Sequence, residues 1–193
     1  MVCLRVIEDY AHENNIPIML SDGIEFLTDF IKKNNVKRIL EIGSAIGYSA
    51  IRMALVSPDI HVVTIERDVE RYNEAVKNIN DFGLSDRIDI RLADALECDV
   101  DGEFDLIFID AAKAQYIKFF EKYKSNLAED GVIISDNLSF HGMVDNMDSI
   151  TNRNTRQLVG KIAKYIDFLK NNEEFYTEFI SIGDGIGISR RKS

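Results

Sequence analysis

The chain has 193 residues, 46% of them hydrophobic and 29% charged, and 33 acidic against 23 basic residues give a formal net charge of −10. That length suits one compact domain, 1–193, with a sizeable core, and the charge excludes a protein that coats nucleic acid through a uniformly basic surface. No apolar run approaches the ~20 residues of a membrane span. The N-terminus MVCLRVIEDYAHENN lacks the basic-then-apolar order of a signal peptide, and Cys3 and Cys98 stand apart without metal-ligand spacing; a cytoplasmic protein with reduced thiols is expected.

Strands and helices alternate along the chain. The spacing of Ile24, Leu27, Phe30 and Ile31 predicts an amphipathic helix over Gly23–Asn34, capped by Ser21 or Asp22. A strand Arg38–Ile42, a turn Gly43–Gly47 and a helix Tyr48–Val56 follow. Next come strand Val62–Glu66, helix Asp68–Phe82 ended by Gly83, and strand Ile88–Leu92. Strand Asp105–Ile109, helix Ala114–Asn126 and strand Val132–Ser135 lead into a loop at 138–154 and a helix Thr155–Lys170. Two last strands, Tyr176–Ile182 and Ile186–Arg190, flank the hairpin signal Gly183-Asp184-Gly185. Continuous apolar strands alternating with helices predict a mostly parallel sheet covered on both faces. The terminal hairpin predicts one antiparallel strand at its edge. Ligands of such sheets bind at the carboxyl ends of the strands, where Glu41, Glu66, Asp94, Asp110 and Asp136 fall.

In ILEIGSAIGYSAIRMA, Glu41-x-Gly43-x-x-x-Gly47 puts two glycines in the first strand-to-helix turn, where a bare backbone can approach a ligand. A dinucleotide site would want G-x-G-x-x-G, but Ala45 occupies the second glycine's place, which disfavours a nicotinamide oxidoreductase. Glu41 as a pocket carboxylate suits a cationic amino group better than a pyrophosphate. Glu66 ends the second strand, where an acid meets ribose hydroxyls, and Asp94 after the third strand is placed for an adenine edge. A nucleoside with a cationic extension describes S-adenosylmethionine. In the competing reading, Glu41 and Glu66 only cap strands.

Residues 104–137 contain FDLIFIDAAK and GVIISDN. Two apolar strands end on Asp110 and Asp136, with Asn137 next and Lys113 three residues past the first acid. Two carboxylates and an amide oxygen suit a hard divalent cation, and the lysine suits a base or an electrostatic clamp. Between Ser149 and Ile166 there are four basic residues, Arg153, Arg156, Lys161 and Lys164, and no acidic one. A phosphate-binding patch and a solvated helix face both account for them. His141 stands near the expected pocket mouth, and Phe140 and Met143 either wall the pocket or pack.

These motifs, in order and spacing, resemble the cation-dependent class I O-methyltransferases, the group that includes the catechol and caffeoyl-CoA enzymes. The segments IPIM (16–19), IDAAKAQY (109–116), ISDNLSFHGMV (134–144), RNTRQLVGKI (153–162) and IGDGIGISRR (182–191) are most similar to a bacterial branch that methylates tRNA 5-hydroxyuridine. The resemblance implies a Rossmann-like α/β domain with a seven-stranded sheet. It implies Asp110, Asp136 and Asn137 as ligands of Mg²⁺ or Mn²⁺, and Lys113 and Asp110 as catalytic residues. It places Met19, Gly43, Ser49, Glu66, Asp94, Ala95 and Asp110 around S-adenosylmethionine. It further implies a homodimer, a tRNA wobble 5-hydroxyuridine converted to 5-methoxyuridine, and, as the other acceptor class, small catechol-like or caffeoyl-CoA-like molecules; for a tRNA acceptor, the charge and position of Arg153 and Arg156 predict phosphate contacts. Both acceptor classes offer two adjacent oxygens to one cation.

Overall fold

The computed structural model describes residues 3–139 and 151–192. Phe140, His141 and Met143 lie outside them. The elements run α1 (Leu4–Glu13), α2 (Ser21–Lys33), β1 (Arg38–Ile42), α3 (Tyr48–Ala54), β2 (His61–Glu66), α4 (Val69–Asp81), β3 (Ile88–Leu92), β4 (Phe104–Ile109), α5 (Tyr116–Tyr123), β5 (Leu127–Ser135), α6 (Arg153–Lys170), β6 (Phe175–Ile180) and β7 (Ile186–Arg191). Single 3₁₀ turns, Lys113–Gln115 and Lys124–Asn126, flank α5. The seven strands form one sheet in the order β3-β2-β1-β4-β5-β7-β6, the mixed, mostly parallel sheet that the alternating pattern predicts.

Side chains of successive strand residues point to opposite faces. Ile39, Leu106, Phe108 and Ile134 pack on one face with residues of α1 to α4. Leu40, Ile42, Ile107, Ile109 and Ile133 pack on the other with α5 and α6. Strands buried on both sides have no polar face to spare, which is why their sequences read as unbroken apolar runs. Among the described residues, no helix is long and apolar enough to cross a membrane.

Several boundaries move for physical reasons. The residue capping α2 is Leu20, with no side-chain bond. Asp22 instead accepts from the Gly23 N–H at 3.0 Å and from the Gly183 N–H at 3.1 Å, which ties the helix start to the far hairpin. The expected helix Ala114–Asn126 is a shorter α-helix between two tight turns. Strand β5 begins at Leu127, five residues earlier than its apolar run, because Leu127 pairs with Phe104 across an irregular step in the β4 ladder. The antiparallel strand is β7, one place in from the edge; β6 takes the edge and again points along β1 to β5. Helix α1 went unread because it buries only Ile7 and Ala11. Its place is held by the Tyr48 hydroxyl, which donates to Glu8 Oε1 at 2.7 Å.

One carboxylate lies inside this core. Glu41, on β1, has no exposed surface. It accepts hydrogen bonds from Ser49 Oγ of α3 and, at 2.5 Å, from Thr64 Oγ1 of β2. Burial pushes its carboxyl from the ordinary 4.5 up to about 7, against the pull of those two hydroxyls. The unfolded chain releases this proton near 4.5, whereas the folded chain keeps it until about 7. The stabilisation is therefore full below the lower value and is lost as pH rises through the upper one. The loss amounts to roughly 3 kcal/mol between pH 5 and 8. Urea unfolding at the two pH values should show a smaller fall for Glu41→Gln than for the unaltered chain; an identical fall would remove Glu41 as its source.

Candidate functional site

Three neighbouring strands end at one level. Ile42 of β1 is in register with Ile109 of β4, and Ile109 with Ser135 of β5. The next residues, Gly43, Asp110 and Asp136, close the ladder by donating their N–H to Ile65, Ile42 and Ile109 carbonyls at 3.0, 3.0 and 3.1 Å. The chain order reverses between β1 and β4, and this crevice is where open α/β sheets take ligands. Gly43 has φ +97°, and a Cβ on it would stand 2.2 Å from the Asp110 carbonyl oxygen, so only glycine lets the two strand ends meet.

A cavity of about 660 Å³ opens over these ends, a volume that accommodates a nucleoside-sized ligand and a small acceptor together. Met19, Gly43, Ser49, Glu66, Asp94 and Ala95 line one part of it. Glu66 accepts the Ala45 N–H at Oε2 (2.8 Å) and the Arg67 and Asp68 N–H groups at Oε1 (2.9 Å each), so it shapes the glycine turn as well as facing the cavity. Asp94 is braced by the Leu96 N–H at 2.8 Å. Glu41 does not line the cavity as expected; it lies one layer beneath, behind Ser49, whose Oγ donates to it.

The other part of the cavity carries Asp110, Lys113, Asp136 and Asn137. The Asn137 amide nitrogen is 3.3 Å from both Asp110 Oδ1 and Asp136 Oδ2. Asn137 has φ +65°, a conformation that asparagine tolerates better than most residues. Lys113 Nζ lies 3.6 Å from Asp110 Oδ1. Asp136 is 3% exposed, and its Oδ1 has no hydrogen-bond partner among the described residues. Burial, then the neighbouring Asp110 charge, raises its carboxyl above the usual carboxylate range.

A buried carboxylate oxygen without a donor, beside a second carboxylate, fits a bound cation. A half-turn of the Asn137 amide would present oxygen at the same place. Among the described residues no cluster of three or more His, Cys, Asp or Glu side chains is arranged for a metal; the donor set is two carboxylates and an amide, the hard-oxygen kind.

Two further residues escaped sequence reasoning. Asp184, read only as a turn residue, is 9% exposed and lines the same cavity. The glycines on either side have φ +57° and +83°, and Ser139 N–H bonds the Asp184 carbonyl at 2.6 Å, so the hairpin turn holds a third acid facing the site. The other is Tyr116, whose hydroxyl lies under Lys113; an aromatic at the start of a helix is indistinguishable in sequence from a packing residue. Arg153 and Arg156 are exposed in the first turn of α6 and do not line the cavity.

Comparison with known proteins matches residues 3–192 to the family described as O-methyltransferase. Caffeoyl-CoA O-methyltransferase 1 of Arabidopsis thaliana is 30% identical over 192 residues, which cover 94% of this chain and 74% of the plant protein. A Staphylococcus aureus crystal structure, provisionally described as a caffeoyl-CoA O-methyltransferase, is 39% identical with a TM-score of 0.95, covering 100% of this chain and 93% of that one. A Bacillus cereus O-methyltransferase solved in complex with SAH is 26% identical with a TM-score of 0.82, covering 98% and 90% of the two chains. With the family matched over nearly its whole length and the strand-end acids gathered in one cavity, this chain belongs to the O-methyltransferase family.

Proposed function

We propose that the protein transfers a methyl group from S-adenosylmethionine to one oxygen of an acceptor that carries two adjacent oxygens, with a divalent cation at Asp110, Asp136 and Asn137. The observation that carries this reading is the meeting, in one cavity, of a buried acid with an undonated oxygen, a second acid, an amide and a lysine. Small acceptors of the catechol or caffeoyl-CoA kind fit best, because caffeoyl-CoA is named for the curated relatives of this chain. The reading sets the reaction in the cytoplasm, in a homodimer.

The donor's S–CH₃ bond breaks as the O–CH₃ bond forms, and sulfur keeps the electron pair, leaving S-adenosylhomocysteine. Asp110, Asp136 and Asn137 would hold the Mg²⁺ or Mn²⁺, which would supply Lewis acidity for loss of the acceptor proton. Lys113 Nζ, as the uncharged amine, takes that proton onto its lone pair and becomes the ammonium, which Asp110 is placed to pair at the edge of the cation site. Glu66 and Asp94 hold the ribose and adenine ends. Ser49 and Met19 fix the donor's amino-acid portion, and Glu41 keeps Ser49 in place. Holding donor and acceptor in line replaces a bimolecular encounter by a directed one.

A second reading keeps the chemistry and changes the acceptor to 5-hydroxyuridine in tRNA. The exposed face of α6 favours it. Arg153, Arg156, Lys161 and Lys164 are exposed, opposite the buried Val159, Ile162 and Tyr165, and form a basic stripe on an acidic protein, the charge that RNA phosphates require.

Lys113→Ala should lower kcat about 10²–10⁴-fold, the usual contribution of a positioned base, while calorimetric binding of S-adenosylhomocysteine stays near its original strength. Retained turnover would sink the role given to Lys113. For the RNA reading, Arg153→Ala/Arg156→Ala should weaken methylation of tRNA bearing 5-hydroxyuridine and reduce its salt dependence, by a slope of about 1 per lost phosphate contact. Unchanged kinetics on tRNA at low and high salt would leave the small-molecule reading alone.

A further inference from the structure

Lysine is a poor fixed base unless something holds it, because its flexible four-carbon stem has rotamer entropy to lose. Lys113 sits in a 3₁₀ turn with 14% of its side chain exposed. Asp110 lies on one side of its Nζ, at 3.6 Å. On the other side Nζ lies 3.4 Å from Tyr116 Oη, which in turn donates to the Asp136 backbone carbonyl at 3.2 Å. Nζ is also 5.6 Å from the centre of the Tyr116 ring, so the nearer contact is to the phenol oxygen.

Tyr116 is 1% exposed and does not line the cavity. Its ring is clamped edge-to-face against Tyr165 of α6 at 5.2 Å and 83°, and Tyr165 is bonded through its own hydroxyl to Ser135 Oγ at 2.7 Å. Both tyrosines thus anchor at the carboxyl end of β5, one at Ser135 and one at the next residue, Asp136, a ligand of the proposed cation. The phenol oxygen has one proton to give and one lone pair facing Lys113, and this geometry uses both.

We propose that Tyr116 is a positioning residue that sets the Lys113 amine against the carboxyl end of β5, so that the base and the cation ligands keep a fixed relation. The inference rests on the base role given to Lys113 above. The acceptor, the donor and the cation need not touch Tyr116 for it to act. Its hydroxyl joins the 3₁₀ turn that carries the base to the strand end that carries Asp136.

Tyr116→Phe keeps the ring and removes that atom. Losing one hydrogen bond to the amine should lower kcat several-fold, up to about tenfold, with KM for S-adenosylmethionine and calorimetric S-adenosylhomocysteine binding within about twofold of the original. Tyr165→Phe, which deletes the equally buried hydroxyl bonded to Ser135, should leave kcat within about twofold. In a Lys113→Ala background Tyr116→Phe should cost almost nothing further, because the residue acts through the lysine. The proposal is overturned if Tyr116→Phe keeps its kcat, if kcat and S-adenosylhomocysteine binding fall together, if Tyr165→Phe is equally slow, or if the effect persists without Lys113. An active Lys113→Ala would instead bring down the underlying base role, so the two failures are distinguishable.

Discussion

Everything at the site depends on the registry of three parallel strands. Because β1, β4 and β5 pair as Ile42 with Ile109 and Ile109 with Ser135, their next residues emerge side by side. A slip of one residue would turn each strand's apolar set from one face to the other. Both faces are packed, so such a slip is resisted by the whole core, and the core thereby sets the spacing of the acids. The contact of Gly43 with the Asp110 backbone makes the same point from the other direction: a single Cβ would force β1 and β4 apart. Precision in the cavity is a by-product of apolar packing beneath it.

The second constraint is electrostatic. Glu41 and Asp136 are both buried, and both are raised by desolvation, with the charge of Asp110 contributing to each. Asp184 adds to the charge around Asp136. Acids crowded in this way are costly unless a cation joins them. In the proposed reading the cavity receives two, the metal and the sulfonium of the donor, so the repulsion that strains the free protein becomes attraction for its ligands. That would explain why an acidic protein concentrates charge at the place least able to solvate it.

Much of this was legible in the sequence. The strand-helix alternation, the strand-end acids and the glycine turn are local patterns with local causes, and all but one of the site residues they suggested line one cavity. Glu41 is the exception, because the pleat turns it toward α3 and Thr64, and which side of a strand faces a ligand is not written in spacing alone. Helix α1 was missed since two buried residues make a weak stripe. The early start of β5 was missed since Glu129 and Asp130 interrupt its apolar run, and only Phe104, across the sheet, offers Leu127 a partner. Asp184 and Tyr116 were invisible as site residues because their significance lies in contacts with residues far along the chain. Asp184 reaches the cavity through Ser139 and Asp22, which brace its turn, and Tyr116 reaches it through Lys113 and Asp136.

The central claim is that the oxygen site selects acceptors by two adjacent oxygens. Its most direct test is methyl transfer from radiolabelled S-adenosylmethionine to a catechol and to the matched monophenol, each with Mg²⁺ and with EDTA. The account predicts a labelled catechol ether that EDTA abolishes, and no product from the monophenol. Equal turnover of the two phenols, or catechol methylation that persists in EDTA, would contradict it.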